Sequence, residues 1–212
     1  MAIEPQIIEV EASGKPRRFV FVLMRQFTML CFASAIEALR IANRTAGREL
    51  YDWRIIGEGG ETASCSNGCV FGLDADLVEL ERDDTLMLCG GVDVHEATTK
   101  RILNWIRREA RRGATIAGLC TAGYTMAKAG LLNGKKATIH WENQDSFAEE
   151  FEEVELRSHR DCEDVVHKSD SSSAHRKGCR DGIEKCSCVV VIGSCIVEYK
   201  SRRSRVTTFI EH

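Results

Sequence analysis

Short apolar runs alternate with amphipathic segments along the first two thirds of this chain, and this alternation limits the folds it can adopt. Four runs rich in apolar, β-branched and aromatic residues are typical of buried strands: RFVFVLM at 18–24, YDWRIIG at 51–57, TLMLCGG at 85–91 and ATIAGLC at 114–120. The segments at 30–43 and 98–112 have apolar residues three or four positions apart, which predicts helices. Strands alternating with helices favour a parallel sheet with right-handed crossovers, so we predict an α/β sandwich.

The length of the chain fits one ordinary domain with a short appendage, and its charge bears on possible partners. Its 212 residues are enough to bury a real core. The formal net charge of -3 gives no general attraction for nucleic acid phosphates. The sequence shows neither a secretion signal nor an apolar run long enough to span a bilayer, so we expect a cytoplasmic protein without a membrane partner. Its ten cysteines are then expected to be reduced thiols.

The composition changes after Arg160, where a polar, serine-rich stretch without periodicity begins. We therefore predict an N-terminal extension at 1–17, a main domain at 18–160 and a divergent Ser/Cys-rich tail at 161–212. Within the tail, VVVIGSCIVEY at 189–199 predicts one added strand, and KSRRSR at 200–205 is interpreted as a solvated basic end rather than a DNA arm.

The cysteines and histidines of the tail raise the hypothesis of a zinc site. Cys186 and Cys188 are separated by one serine, and no second pair follows at the interval of a structural zinc site. We therefore predict neither a metal nor a cofactor.

Two predicted strand ends carry features that point to a single site. Gly90 and Gly91 follow the third apolar run, and Cys120 follows the fourth. Ligands of parallel α/β sheets bind beyond the carboxyl ends of the strands. The sequence therefore predicts a binding site that includes both features.

Cys120 lies in a tight turn between a predicted strand and a helix that begins near Ala122. The N–H groups and the positive dipole end of such a helix favour a thiolate. His140, just after the short run KATI, could lie beside the Cys120 sulfur and form an ion pair with it. From the local pattern alone, the alternative that Cys120 is a small buried hydrophobe and His140 an ordinary core histidine stays open.

The stretch GLCTAGYTMAKAGLLNGKKATIHWEN at 118–143 resembles the cysteine elbow of the ThiJ/PfpI proteins, relatives of class I glutamine amidotransferases. More closely, it is similar to the N-terminal sensing domain of the GlxA-type branch of AraC transcriptional regulators. Supporting motifs are FTMLCFASAIEALRIANRTAGRELYDWRIIG at 27–57, SNG at 66–68, CGGVD at 89–93 and TIHWEN at 138–143. The resemblance implies a flavodoxin-like three-layer α/β/α sandwich with a mostly parallel sheet, and a ThiJ/PfpI-like ligand-sensing domain at 18–160.

Carried onto this chain, the resemblance places Cys120 at the elbow with His140 beside it, as the two candidate catalytic residues. It places the N–H groups of Gly91 and Thr121 at the oxyanion position. Hydrolytic and glyoxalase-like members also carry a glutamate near the cysteine. When the chain is aligned with the family through Glu37, Cys31 stands at the position where that carboxylate is expected. The absence of this proton-transfer group favours a ligand-sensing domain over an enzyme.

The predicted ligand-binding residues are Gly90, Gly91, Cys120, Thr121, His140, Trp141 and Glu142. Trp141 is interpreted either as cover for the core where the next helix begins or, together with Glu142, as an aromatic and carboxylate pair for a cationic ligand.

By the resemblance, the ligand is an amine, a betaine-like compound or an amino acid, and the protein is a homodimer. DNA would be bound only through a helix-turn-helix domain, which we expect to be absent from this chain. The rival hypotheses are a cysteine hydrolase, amidase or glyoxalase-like enzyme, and a module that serves only for dimerisation.

Overall fold

The computed structural model describes residues 15–156 and five short tail segments at 166–167, 191–192, 194–195, 199–201 and 204–206. The strands of the main domain are β1 (Arg17–Leu23), β2 (Tyr51–Ile56), β3 (Thr62–Ser64), β4 (Val70–Gly72), β5 (Thr85–Cys89), β6 (Thr115–Leu119), β7 (Lys136–Ala137) and β8 (Glu155–Leu156). The helices are α1 (Met29–Ala46), α2 (Val94–Ala97), α3 (Lys100–Arg112), α4 (Ala122–Lys128), α5 (Gln144–Glu150) and a 3-10 turn (Trp141–Asn143).

The central sheet is parallel in the order β2-β1-β5-β6. Its register brings Leu23 of β1 beside Cys89 of β5, and Cys89 beside Leu119 of β6. The carboxyl ends of these three strands therefore lie at one edge, where the sequence places both the glycine pair and Cys120.

Side chains of β1 enter two separate hydrophobic cores. Phe19 and Phe21 pack on one face with α1, whereas Val20 and Val22 pack on the other face with α3 and α4. Successive residues of a strand point to opposite faces, so a strand covered on both sides is apolar throughout. These layers confirm the predicted α/β/α sandwich.

The two long helices begin and end where the residue types favour it. α1 starts after Thr28 and stops at Gly47, which has a φ of 64°. α3 is capped by the Thr99 hydroxyl, which accepts a hydrogen bond from the Ile102 N–H, and it stops at Gly113, whose φ is 100°. Glycine adopts this left-handed conformation without the penalty that a Cβ imposes.

The far end of α1 is fastened to the start of β2 by one amide side chain. Asn43 accepts hydrogen bonds from the N–H groups of Leu50 (2.8 Å) and Tyr51 (2.9 Å). It also donates to the Tyr51 carbonyl at 2.7 Å. The loop between helix and edge strand therefore has a fixed geometry.

The tail adds short strands to the sheet and a small hairpin. β9 (Val166–His167) runs antiparallel to β6, and β10 (Val191–Ile192) runs parallel to it. β11 (Ser194–Cys195) pairs with β10, so the single strand predicted at 189–199 is wrong: two short antiparallel strands stand in its place. β12 (Tyr199–Ser201) and β13 (Ser204–Val206) pair as antiparallel strands, and each contains residues of the basic stretch.

The predicted zinc-type cysteines and histidines of the tail lie outside the residues whose side chains are described. Among the described residues, no helix combines the length and the apolar character that a membrane crossing needs. The predicted boundary near residue 160 also falls outside the described ranges and stays a prediction.

Candidate functional site

Three loops meet at the carboxyl ends of β1, β5 and β6, and each contains a non-glycine residue with a positive φ. These residues are Gln26 (57°), Asp93 (56°) and Cys120 (57°). A side chain held in the left-handed region costs on the order of 1 kcal/mol or more, and such residues cluster at functional sites. The strain is therefore concentrated where the sequence predicts the site.

Gly90 and Gly91 allow these loops to approach each other more closely than any side chain would permit. A Cβ on Gly91 would lie 2.0 Å from the Gln26 carbonyl oxygen, and one on Gly90 would lie 2.5 Å from the Ala122 nitrogen. The Gly90 carbonyl accepts a hydrogen bond from the Thr28 N–H at 2.9 Å. The Gly91 carbonyl accepts one from the Thr121 hydroxyl at 2.7 Å. The glycine pair thus joins the loop before α1 to the start of α4.

Cys120 is half-buried, and its sulfur is surrounded by hydrogen-bond donors. The Cys31 thiol donates to it and is the largest influence in lowering its pKa to about 6 from an ordinary value of 9.0. Burial acts against this shift, while the Thr28 hydroxyl, at 3.7 Å, and the Thr121 N–H add to it. The charge of His140 makes a smaller contribution in the same direction. The pKa of Cys120 therefore lies well below that of an ordinary buried cysteine.

Cys31, in the first turn of α1, is the side chain that faces Cys120. It is only 5% exposed, and its sulfur lies 3.0 Å from the Thr28 carbonyl oxygen. Glu37 lies further along the helix, where it is exposed and paired with Arg40, which lowers the pKa of its carboxyl group. Among the residues that the structure describes, a thiol and not a carboxylate is therefore the main influence on the elbow sulfur.

The histidine side of the site lies between β7 and the 3-10 turn. His140 Nδ1 stands 3.6 Å from Glu142 Oε2, and the carboxylate is largely exposed. Trp141 is the first residue of the turn, but its side chain is outside what the structure describes. Of the predicted set, Gly90 and Gly91 contact Thr121, whose N–H is bonded to the Cys120 sulfur, and Glu142 accompanies His140.

Thr28 is a site residue that the sequence did not single out. It is the N-cap of α1, yet its hydroxyl makes no capping hydrogen bond and contacts the Cys120 sulfur. Thr121 behaves in the same way at α4, where its hydroxyl donates to Gly91 and caps nothing. In a sequence, a threonine before a predicted helix is typical of an N-cap, and nothing in the local pattern indicates a contact with a distant loop.

The lowered pKa of Cys120 predicts a pH dependence of folding stability. Because the folded thiol has a pKa of about 6 and the ordinary value is 9.0, deprotonation favours the folded state. This contribution should be complete above pH 9 and should be lost as the pH falls through 6. Urea unfolding of the wild type and Cys120→Ser, measured across this range under reducing conditions, should show a stability difference that grows with pH. A difference independent of pH would contradict the assigned ionisation.

These features define a flavodoxin-like α/β protein with a cysteine of lowered pKa in a strained turn at the carboxyl edge of its sheet. The family model described as the DJ-1/PfpI family matches residues 17–175. The chain belongs to this family, and the resemblance to ThiJ/PfpI proteins is thereby confirmed.

Several curated relatives are transcriptional regulators. The chain is 36% identical over 138 residues to the HTH-type transcriptional regulator CdhR of Pseudomonas aeruginosa, a match that covers 65% of this chain and 41% of the relative. It is 38% identical over 150 residues to the HTH-type transcriptional regulator GlxA of Rhizobium meliloti, which covers 70% and 46%. The chain thus spans less than half the length of these relatives.

Solved structures show the same fold. An AraC family transcriptional regulator from Pseudomonas putida superposes with a TM-score of 0.56 and 22% identity, covering 67% of this chain and 76% of that one. Drosophila melanogaster DJ-1beta superposes with a TM-score of 0.57 and 21% identity, covering 68% and 75%. At these identities the likeness concerns the fold alone.

Proposed function

We propose that this chain is the ligand-sensing domain of an AraC-type transcriptional regulator and that it binds a small polar metabolite at Cys120 and His140. The observation that carries the proposal is the position of the Cys31 sulfur, 3.0 Å from the Thr28 carbonyl and 4.0 Å from the Gly90 carbonyl, because a thiol stands there where a catalytic carboxylate is expected. The regulators among the relatives support the same conclusion.

A Cys31 thiol is a poor substitute for a carboxylate in proton transfer. A positioned general acid or base contributes about a hundredfold to ten-thousandfold to a reaction rate. The thiol of Cys31 is buried, and its one proton is directed at the Thr28 carbonyl oxygen, 3.0 Å away. It can stabilise a thiolate, but a thiol is a weaker acid than a carboxyl group and a weaker proton carrier at neutral pH. Binding requires no such transfer.

The charges around the site favour a ligand with a cationic group. Cys120 supplies a thiolate and Glu142 an exposed carboxylate next to His140. Trp141 follows His140 in the chain and offers an aromatic face of the kind that attracts ammonium groups. An amine, a betaine-like compound or an amino acid meets these requirements, and the elbow N–H groups of Gly91 and Thr121 would face the ligand's carboxylate where it has one.

In such a regulator, DNA is contacted by the helix-turn-helix domain, and the region matched here supplies the response to the ligand. We expect this domain to act as a homodimer, because a ligand-dependent change is then passed to two DNA-binding units at once.

A thermal-shift screen of amino acids, betaine-like amines and small amides should find a compound that stabilises the chain. A ligand that binds only the folded state adds about 2.7 kcal/mol at a hundredfold excess over Kd. Cys120→Ala and Trp141→Ala should each reduce the shift, whereas Cys69→Ala, at an exposed cysteine of the β3–β4 connection, should leave it unchanged. A shift of equal size in all three variants would place the ligand elsewhere.

The lowered pKa of Cys120 also favours a second candidate, a cysteine-dependent hydrolase, amidase or glyoxalase-like enzyme. A thiolate at neutral pH is the nucleophile that such chemistry needs. Sustained amide hydrolysis or conversion of methylglyoxal, abolished by Cys120→Ala, would establish the enzyme and exclude the sensing assignment. Binding without turnover under the same conditions would support the sensor.

A further inference from the structure

We propose that the hydroxyl group of Thr138 is a ligand contact, which takes its hydrogen-bond partner from the small molecule that binds at Cys120 and His140. The proposal rests on the function proposed above, because it adds a residue to that same site. It gives Thr138 a part in selecting the ligand, since a buried hydroxyl group favours a compound that brings a polar atom to it.

Thr138 is the exception among the buried polar side chains. The structure describes six such residues, and five of them have hydrogen-bond partners: Asp84, Thr85, Glu109, Thr121 and Thr125. Thr138 is only 6% exposed, and its hydroxyl oxygen has no hydrogen-bond partner among the described residues. Because a buried polar atom without a partner is costly, its presence in a folded protein needs an explanation.

Thr138 lies where the two parts of the proposed site meet. It belongs to the connection between β7 and the 3-10 turn, two residues before His140. Its carbonyl oxygen packs against Gly123, where an added Cβ would lie 3.3 Å from it. Gly123 is in the first turn of α4, three residues after Cys120. The unpaired hydroxyl group therefore belongs to a residue that joins the histidine segment to the cysteine elbow.

A permanently bound water is the alternative partner for this hydroxyl group. A protein holds a water in its interior where about two to four polar groups surround it. Ala137 and Ile139, on either side of Thr138, are buried members of the apolar core. These surroundings favour a partner that enters with the ligand, and the stability of a valine variant separates the two cases.

The segment that contains Thr138 can adjust to a ligand. Within the described part of the chain, β7 pairs with β8 over two residues only. The turn that follows is closed by a hydrogen bond from the Asn143 N–H to the His140 carbonyl at 2.9 Å. A shift of this short segment that brings the hydroxyl group to a polar atom of the ligand recovers the cost of leaving it unpaired. Binding is thereby coupled to the position of the segment.

The first part of the experiment measures whether the hydroxyl group is unpaired. Thr138→Val keeps the shape of the side chain, so urea unfolding of the full chain without added compounds should give a midpoint equal to or above that of the wild type. Thr125→Val is the matched control, because the Thr125 hydroxyl is bonded to that of Thr98 at 2.8 Å, and its midpoint should fall. A similar fall in Thr138→Val would show that a water already satisfies the hydroxyl group and would overturn the proposal.

The second part measures binding by calorimetry, with the standard amino acids, trimethylglycine and choline as probes. The compound that raises the Tm of the wild type most is titrated into each variant. Thr138→Val should bind it about tenfold more weakly, because one hydrogen bond is lost. Thr138→Ser keeps the hydroxyl group and should bind within about twofold of the wild type. Thr125→Val should bind as the wild type does.

Failure of this proposal and failure of the proposed function give different results. Equal dissociation constants for the wild type and Thr138→Val would leave the site in place and show that Thr138 is not part of it. If no probe raises the Tm of the wild type, the proposed function loses its support and the assignment of Thr138 is withdrawn with it.

Discussion

The alkylation rate of Cys120 should rise with pH around a midpoint near 6, far below that of an ordinary thiol. The reason is the hydrogen bond from Cys31, with smaller support from Thr28, the Thr121 N–H and His140. Iodoacetamide labelling followed by mass spectrometry resolves Cys120 from the buried Cys31 and Cys89, which should react more slowly at every pH.

The midpoint is a sharper measurement than the rate at neutral pH. A thiol with a pKa of about 6 is about nine-tenths ionised at pH 7, against a few per cent for a free cysteine of pKa about 8.5. Thiolate nucleophilicity falls as the pKa falls, with a Brønsted slope of about 0.4–0.5, which removes roughly tenfold of that advantage. The net gain in rate is then only a few-fold, and partial burial reduces it further. The midpoint of the pH profile depends on the pKa alone, so the opposing effects of ionisation and nucleophilicity on the rate do not obscure it.

Substitutions around the sulfur should move this midpoint upward in a defined order. Cys31→Ala removes the largest stabilising contact and should cause the largest rise, while Thr28→Val, of nearly equal shape, should cause a smaller one. Cys69→Ser leaves the surroundings of Cys120 intact and should not move it. A midpoint unchanged in Cys31→Ala would show that another group stabilises the thiolate.

Gly91→Ala should destabilise the folded protein by about 3 kcal/mol, the upper part of the range for overpacked sites. The new Cβ would lie 2.0 Å from the Gln26 carbonyl oxygen and 2.7 Å from the Thr28 nitrogen. Both are backbone atoms and cannot rotate away as a flexible side chain would. The loop before α1 must move instead, and this separates Thr28 from Cys120. Urea unfolding measures the loss of stability, and the Cys120 labelling profile measures the damage to the site.

Gly72→Ala provides the matched control. A Cβ on Gly72 in β4 meets no atom within 4 Å. This variant should have nearly wild-type stability or gain slightly, because alanine restricts the unfolded chain. Equal losses in the two variants would mean that the close approach at Gly91 does not limit the fold.

The main elements of the fold could be predicted from the sequence because each is long enough to display its periodicity. The helices α1 and α3 and the parallel strands β1, β2, β5 and β6 all appear where apolar patterning places them. The hairpin β3–β4 was not predicted, because strands of three residues show no clear alternation.

The site was predictable only where a motif fixes a residue. Cys120 and the glycine pair follow strands directly, and the register set by Glu37 was enough to single out Cys31. The contact of Thr28 with Cys120 joins residues 92 positions apart, and the left-handed conformation of Gln26 depends on the strands around it. Local sequence contains neither fact, because both arise from tertiary packing.

The fastening of α1 at both ends has a mechanical consequence. Its first turn is tied to the Cys120 sulfur through Thr28 and Cys31, and its last turns are clamped to β2 by Asn43. With 18 residues, the helix spans about 27 Å. Because both ends are held, a displacement of its first turn by a ligand would be transmitted along the helix and not absorbed at one end. The Asn43 clamp would pass that displacement to β2, the strand at the outer edge of the sheet.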